Sequence, residues 1–342
     1  MRPVTGVSTW RRRLLGLYLE VRAIPVLMWS FTGVLLGTAV AARADHRLAV
    51  WPLVASIAIG VLLQGVVAHS ANDVVDWHSG TDQHPAERTL SGGSKVVGWG
   101  LLSVRDLAIF GAFGAVAAMG LGIAVAWTRG WLLIAVGFIG LLGALAYSLP
   151  PVRAAYRPFA GEATAFACCS LCTVGAYFVQ RGTVGLTVVA LGLSHGAACV
   201  AMLMVHHDLD RPADESAIPR KRTSAVKFGA RGLKYGSGWG VLGAVLALAL
   251  IQPLGWAAIA AAVGPMVAAV QAARTVPGDP TSVTASERLI IVSVIVGGLA
   301  AATLLQPRLA WAATAPLILF PLEAHLSAKG ATLADRARTG GV

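Results

Sequence analysis

The chain has 342 residues, of which 56% are hydrophobic and only 13% charged, with a mean hydropathy of +0.71 and a net charge of +11. An ordinary soluble domain of this size does not carry so much apolar surface, so the composition excludes a soluble enzyme and defines an integral membrane protein of the all-α, helical-bundle class. In such a chain the positive balance bears on orientation and not on nucleic acid, because Lys and Arg collect in cytoplasmic segments.

Residues 1–23 read as a cytoplasmic, interfacial segment. Arg11-Arg12-Arg13, an apolar run and Ala41-x-Arg43-Ala44 imitate a signal peptide. The apolar run starts near residue 24 and is long enough to span, which predicts an uncleaved first helix. Residues 9–22 predict an amphipathic interfacial helix, with Trp10, Leu14, Leu17 and Tyr18 toward lipid and the arginines toward anionic headgroups.

A single transmembrane domain, 24–327, follows, with ten candidate spans at 24–42, 49–70, 106–127, 131–147, 161–180, 184–205, 237–252, 255–272, 289–306 and 310–327. The last contains Pro316, Pro321, Glu323 and His325, so nine crossings with a re-entrant or interfacial segment is the alternative. A polar tail, 328–342, closes the chain. With the N-terminus inside, 22 of the 27 basic residues fall on the cytoplasmic side, and two polar segments, 71–103 and 206–235, lie there as well. Cys168, Cys169, Cys172 and Cys199 all lie in apolar spans without the spacing of a zinc or disulfide framework, and read as small packing residues.

Eight of the 16 carboxylates sit in two short stretches, Asp73–Glu87 and Asp208–Glu215, each directly after a long apolar run. In the first, Asp73 and Asp76 share a helix face, and Asn72 stands beside Asp76 at a spacing of four. Asp82 follows a glycine that can turn the chain back. Such carboxylates hold Mg²⁺ poorly alone and well when substrate phosphates complete the shell. In the second stretch Asp208, Asp210 and Asp214 precede Arg220-Lys221-Arg222, so carboxylates for metal are followed by cations for phosphate. A polar loop with local ion pairs explains either stretch alone; it does not explain the same device after both the second and sixth spans.

The ordered set Asn72-Asp73-x-x-Asp76-x-x-x-Gly80-x-Asp82, Arg88, Leu90-Ser91-Gly92-Gly93-Ser94, Tyr147-Ser148-Leu149-Pro150-Pro151-x-Arg153 and Gly161-Glu162 resembles the UbiA superfamily of intramembrane prenyltransferases. Within it the chain looks closest to the dihydroxynaphthoate prenyltransferases of menaquinone synthesis. The second signature departs from the family: His206 or His207 stands where Asn or Arg is usual, Asp208 and Asp210 compete as the leading acid, and no glycine precedes Arg220-Lys221-Arg222-Thr223.

The resemblance implies Mg²⁺-dependent transfer of an isoprenyl group from an allylic polyprenyl diphosphate to an aromatic, lipid-soluble acceptor. It points to Asp73, Asp76, Asp208, Asp210 and Asp214 for Mg²⁺, and to Asn72, Asp82 and Tyr147 for catalytic roles. Arg88, Lys95, Arg153, Lys221 and Arg222 are expected at the diphosphate. His69 and Glu162 are expected to line the cavity, with capping of the fifth helix as the simpler role for Glu162. Rival readings are a terpene cyclase on the same scaffold, a transferase of specialised metabolism with another acceptor, and a lipid transporter. His206-His207-Asp208 brings zinc to mind, but zinc wants three or four fixed N or S ligands and no second His pair lies in a comparable loop.

Overall fold

The computed structural model describes residues 9–83 and 93–339, and every element among them is helical. Arg88, expected at the diphosphate, lies outside the described residues. The long helices are α1 (Thr9–Val21), α2 (Thr32–Asp45), α3 (Val50–Gly60), α4 (His69–Ser79), α5 (Val104–Arg129) and α6 (Leu132–Ser148). They continue with α7 (Ala160–Arg181), α8 (Leu186–Ser216), α9 (Gly232–Leu248), α10 (Trp256–Arg274), α11 (Pro280–Leu305) and α12 (Thr314–Thr339). Short helical turns at Ala23–Val26 and Leu27–Phe31 run into α2, and Val61–Ala68 joins α3 to α4. Each of the ten expected spans thus has a helix, and the protein is a multi-pass membrane bundle.

Local chemistry sets the helix ends where hydropathy alone did not. Asp279 accepts a hydrogen bond from Ser282 N at 2.8 Å with Pro280 in the first turn, so α11 starts nine residues before the span expected at 289. Ser103 and Asp106 form a reciprocal capping box at the head of α5. α8 runs on to Ser216, because leaving the hydrocarbon does not interrupt the backbone ladder, and Asp208, Asp210 and Asp214 therefore lie on a helix. The last apolar stretch is one continuous 26-residue helix and not a re-entrant segment.

Two groups of helices enclose the site. α2, α7, α8, α9, α10 and α11 pack closely, and their apolar side chains form the main core. The contact between α2 and α7 is so close that a Cβ on Gly37 would overlap the carbonyl oxygen of Thr173, the small-residue packing that lipid-embedded helices require. α3 and α4 pack with α5 and α6 on the other side, and α12 leans on α1.

α1 corrects an expectation. Leu15 and Leu19 are buried against Val96, Leu101, Leu102, Leu107 and Leu333, and Leu17 and Tyr18 pack on the same cluster. Only Trp10 and Leu14 of the four residues expected at lipid remain exposed, since segment 93–103 and the end of α12 cover the other face.

Between the groups lies a cavity of about 1330 Å³. Its lining on the α3–α4 wall includes the stretch from Ser56 to Asn72. At ~1.5 Å per residue that is about 24 Å, most of a ~30 Å hydrocarbon core.

Candidate active site

The two acidic stretches meet at one cation. Lys221 Nζ lies 2.7 Å from Asp76 Oδ2 on α4 and 3.6 Å from Asp214 Oδ1 on α8. The loop that carries Lys221 is held by backbone bonds: Ile218 N donates to Ser79 O at 2.8 Å, Lys221 N to Asp214 O at 3.0 Å and Arg222 N to Tyr156 O at 3.2 Å. Burial pulls the Lys221 ammonium down, but Asp76 and Asp214 outweigh it and hold the group well above the usual lysine range.

Asp76 is saturated with donors. Asn72 Nδ2 donates to its Oδ2 at 3.0 Å and also reaches Ser148 Oγ at 3.3 Å, while Tyr156 OH donates to its Oδ1 at 2.7 Å. Burial, then the charge on Asp76, pushes the Tyr156 phenol above its ordinary value. One turn earlier, Asp73 pairs with Arg22 and accepts from Ser94 N at 2.9 Å and from Ser94 Oγ. Ser94 Oγ is also 2.6 Å from Glu20, itself fully buried.

Gly93 is required where it stands. Its φ is +67°, and a Cβ there would sit 2.5 Å from Asp82 Oδ2 and 3.1 Å from Asp73 Oδ1. Asp82 is thereby gathered toward Asp73 and Asp76, and burial, then Asp76, then Asp73 push its carboxyl well above the usual carboxylate range.

The other expected residues divide. Asn72, His69, Asp82, Lys95 and Tyr147 line the cavity. His69 Nδ1 is 3.0 Å from Val21 O, at the corner that carries Arg22. Tyr147 packs on the apolar cluster of Ala165, Val200, Leu203, Met204 and Ala225. Glu162 itself is not on the wall: it is buried in the first turn of α7, and Oε2 has no hydrogen-bond partner. Arg153 stacks on the Tyr156 ring at 5.7 Å, and its Nε is buried without a hydrogen-bond partner. Arg222 is exposed, and the hydrogen bond described for it is through its backbone.

Asp208 does not join the other carboxylates. Helix periodicity turns it away from the Asp210–Asp214 face; Oδ2 accepts from Gly278 N at 2.6 Å and Oδ1 pairs with Arg211 at 3.1 Å. Asp210 lies 3.6 Å from His206 Nε2.

Three contributors went unassigned from the sequence: Arg22, Ser94 and Tyr156. Arg22 sits with φ +52° in the break between α1 and the next helical turn. The break is legible as Arg22-Ala23-Ile24-Pro25, though the partner across space is not. The cysteines are free thiols, and Cys168, Cys169 and Cys172 line the cavity.

Fold and site together define a polytopic helical membrane protein whose long apolar cavity ends in a charged mouth. The pattern of the UbiA prenyltransferase family matches residues 30–292, and the chain belongs to that family of prenyltransferases. The structure of a UbiA homolog from Archaeoglobus fulgidus bound to DMAPP and Mg²⁺ is similar, with TM-score 0.60, 14% identity, and 84% of this chain and 99% of that chain covered. The same homolog bound to GPP and Mg²⁺ gives the same values. The apo structure of a UbiA homolog from Aeropyrum pernix K1 has TM-score 0.58 and 16% identity, covering 82% of this chain and 96% of the other. At these identities the likeness concerns the fold. No curated protein gives a significant match.

Proposed function

We propose that the protein is a Mg²⁺-dependent transferase that moves an isoprenyl group from an allylic polyprenyl diphosphate to an aromatic, dihydroxynaphthoate-like acceptor. The observation that carries this reading is Lys221 between Asp76 and Asp214, which joins both acidic stretches next to Asn72, a residue that binds Asp76 and lines the apolar cavity.

The donor set fits a hard divalent cation that shares its shell with phosphate. Asp73, Asp76, Asp210 and Asp214 offer only oxygen, and Asp214 Oδ1 is buried with no hydrogen-bond partner. Among the described residues no three His, Cys, Asp or Glu side chains close on a point, so oxygens from a second ligand are needed. The A. fulgidus homolog bound to DMAPP or GPP and Mg²⁺ is consistent with that demand. Asp208 is assigned instead to anchoring the loop around Gly278.

When bound, Mg²⁺ neutralises charge that gathers on the departing diphosphate. Lys95 and Arg22 on the cavity wall, and Lys221 beside Asp76, add fixed positive charge, placed before the reaction and therefore costing no reorganisation during it. Asn72 and Tyr156 hold Asp76 in one orientation. The cavity wall binds the prenyl chain and excludes water, so the allylic cation survives until the acceptor ring attacks its first carbon and sheds the proton or carboxyl group carried by the attacking carbon. The excess of Lys and Arg on this side supports a cytoplasmic mouth.

The test is diphosphate release by purified protein from geranylgeranyl diphosphate, with Mg²⁺ or chelator, each with and without 1,4-dihydroxy-2-naphthoate. Release that needs both metal and acceptor supports the transferase. Full release without acceptor favours a cyclase, and release indifferent to chelator overturns the metal assignment.

A further inference from the structure

The reaction outlined above leaves His206 and His207 unused, although both line the cavity. His206 spans two helices: Nδ1 lies 2.8 Å from Glu287 Oε1 on α11 and Nε2 3.6 Å from Asp210 Oδ2. Glu287 is fully buried and also lines the cavity. His207 is only 9% exposed, and its Nδ1 is buried with no hydrogen-bond partner. A buried polar nitrogen left unpaired is costly, and a ligand that pairs with it recovers that cost on binding.

The surroundings say which ligand. Leu203 and Ile291, one helical turn from His207 and Glu287, line the same cavity, as does Trp29, which packs between the two neighbouring apolar clusters. A polar group recessed beside apolar side chains suits an aromatic ring with a polar substituent. The prenyl chain has no polar atom to offer His207, and a diphosphate there would meet the buried carboxylate of Glu287, which is not among the residues assigned to Mg²⁺. A hydroxyl both donates and accepts, so it satisfies Nδ1 in either tautomer. His207 stands two turns before Asp214 on the same face of α8, and Asp214 pairs with Lys221, which puts the position on the side of that cation.

We infer that His207, braced by the His206–Glu287 pair, is the acceptor subsite, binding the hydroxyl of a hydroxylated aromatic acceptor and setting its ring beside the prenyl group. The inference rests on the prenyl-transfer reading for its purpose, but its binding test does not depend on turnover.

Full-length protein in nanodiscs is titrated with 1,4-dihydroxy-2-naphthoate against 2-naphthoate, and with 4-hydroxybenzoate against benzoate, following tryptophan fluorescence. The hydroxylated member of at least one pair binds more tightly, by about tenfold for one hydrogen bond. His207→Phe removes that preference and His207→Asn, which keeps a donor and an acceptor, restores most of it. In turnover, His207→Phe raises KM for the acceptor about tenfold and leaves KM for geranylgeranyl diphosphate within twofold. No hydroxyl preference in either pair, an unchanged preference in His207→Phe, or a shift in donor KM instead of acceptor KM overturns the subsite. Failure of the prenyl-transfer reading is seen separately, as absence of metal-dependent release by the unaltered protein.

Discussion

Asp76 and Lys221 stand 145 positions apart and meet at 2.7 Å, both buried, with Asp214 on the far side of the same ammonium. A buried charge between two carboxylates holds α4 and the end of α8 in register, and it brings one carboxylate from each acidic stretch to a single cation.

Lys221→Met is expected to lower diphosphate release by about 100-fold, the usual cost of one preorganised charge at a departing anion. Removing one member of a buried ion pair also destabilises, by ~3 kcal/mol, as Asp76 and Asp214 lose their counter-charge. Release assays and thermal unfolding in the same detergent check both. Release within a few fold of the unaltered protein would remove Lys221 from the site.

Asp208→Asn and Asp214→Asn are expected to part company. Asp214 faces Lys221, so its amide variant loses nearly all metal-dependent release. Asp208 binds Gly278 N and Arg211, so its variant keeps most release but unfolds at lower temperature, with a loss of ~1–3 kcal/mol for weakened charge-assisted bonds. Equal loss of release in both would return Asp208 to the metal site.

Much of this arrangement is legible in the chain. Ten apolar runs, two acidic stretches and the basic cluster at Arg220-Lys221-Arg222 forecast the bundle and its charged mouth. What hydropathy does not carry is direction: only the continuation of α8 to Ser216 decides that Asp210 and Asp214 share a face and that Asp208 turns away. Nor does one sequence show that Arg22 reaches Asp73, or Tyr156 reaches Asp76, since those pairs span 51 and 80 positions. Among the basic residues, Lys95 and Lys221 could not be separated from Arg153 and Arg222 by spacing, because the fold of the segments after α4, α6 and α8 makes that choice.

His69→Ala is expected to impair turnover more than stability. Its Nδ1 ties Val21 O, the residue before Arg22, and the ring borders the cavity without filling a closed core. Loss of the tie lets Arg22 drift from Asp73, so diphosphate release falls by about tenfold while thermal unfolding moves little, in line with one hydrogen bond of ~1 kcal/mol. Normal turnover in this variant would count against a role for the corner.

Gly37→Ala and Gly120→Ala test the helix packing that shapes the cavity. A Cβ on Gly37 meets the backbone carbonyl of Thr173, which cannot rotate away as a side chain would, so α2 and α7 must separate. That overpacking is expected to cost ~3 kcal/mol or more and to lower expression of folded protein. Gly120 is exposed on α5 with no atom within 4 Å of an added Cβ, so alanine there is neutral or stabilising by up to ~1 kcal/mol from helix propensity. Thermal unfolding of the two variants in one detergent decides the matter: comparable midpoints would mean that the α2–α7 contact is looser than Gly37 implies.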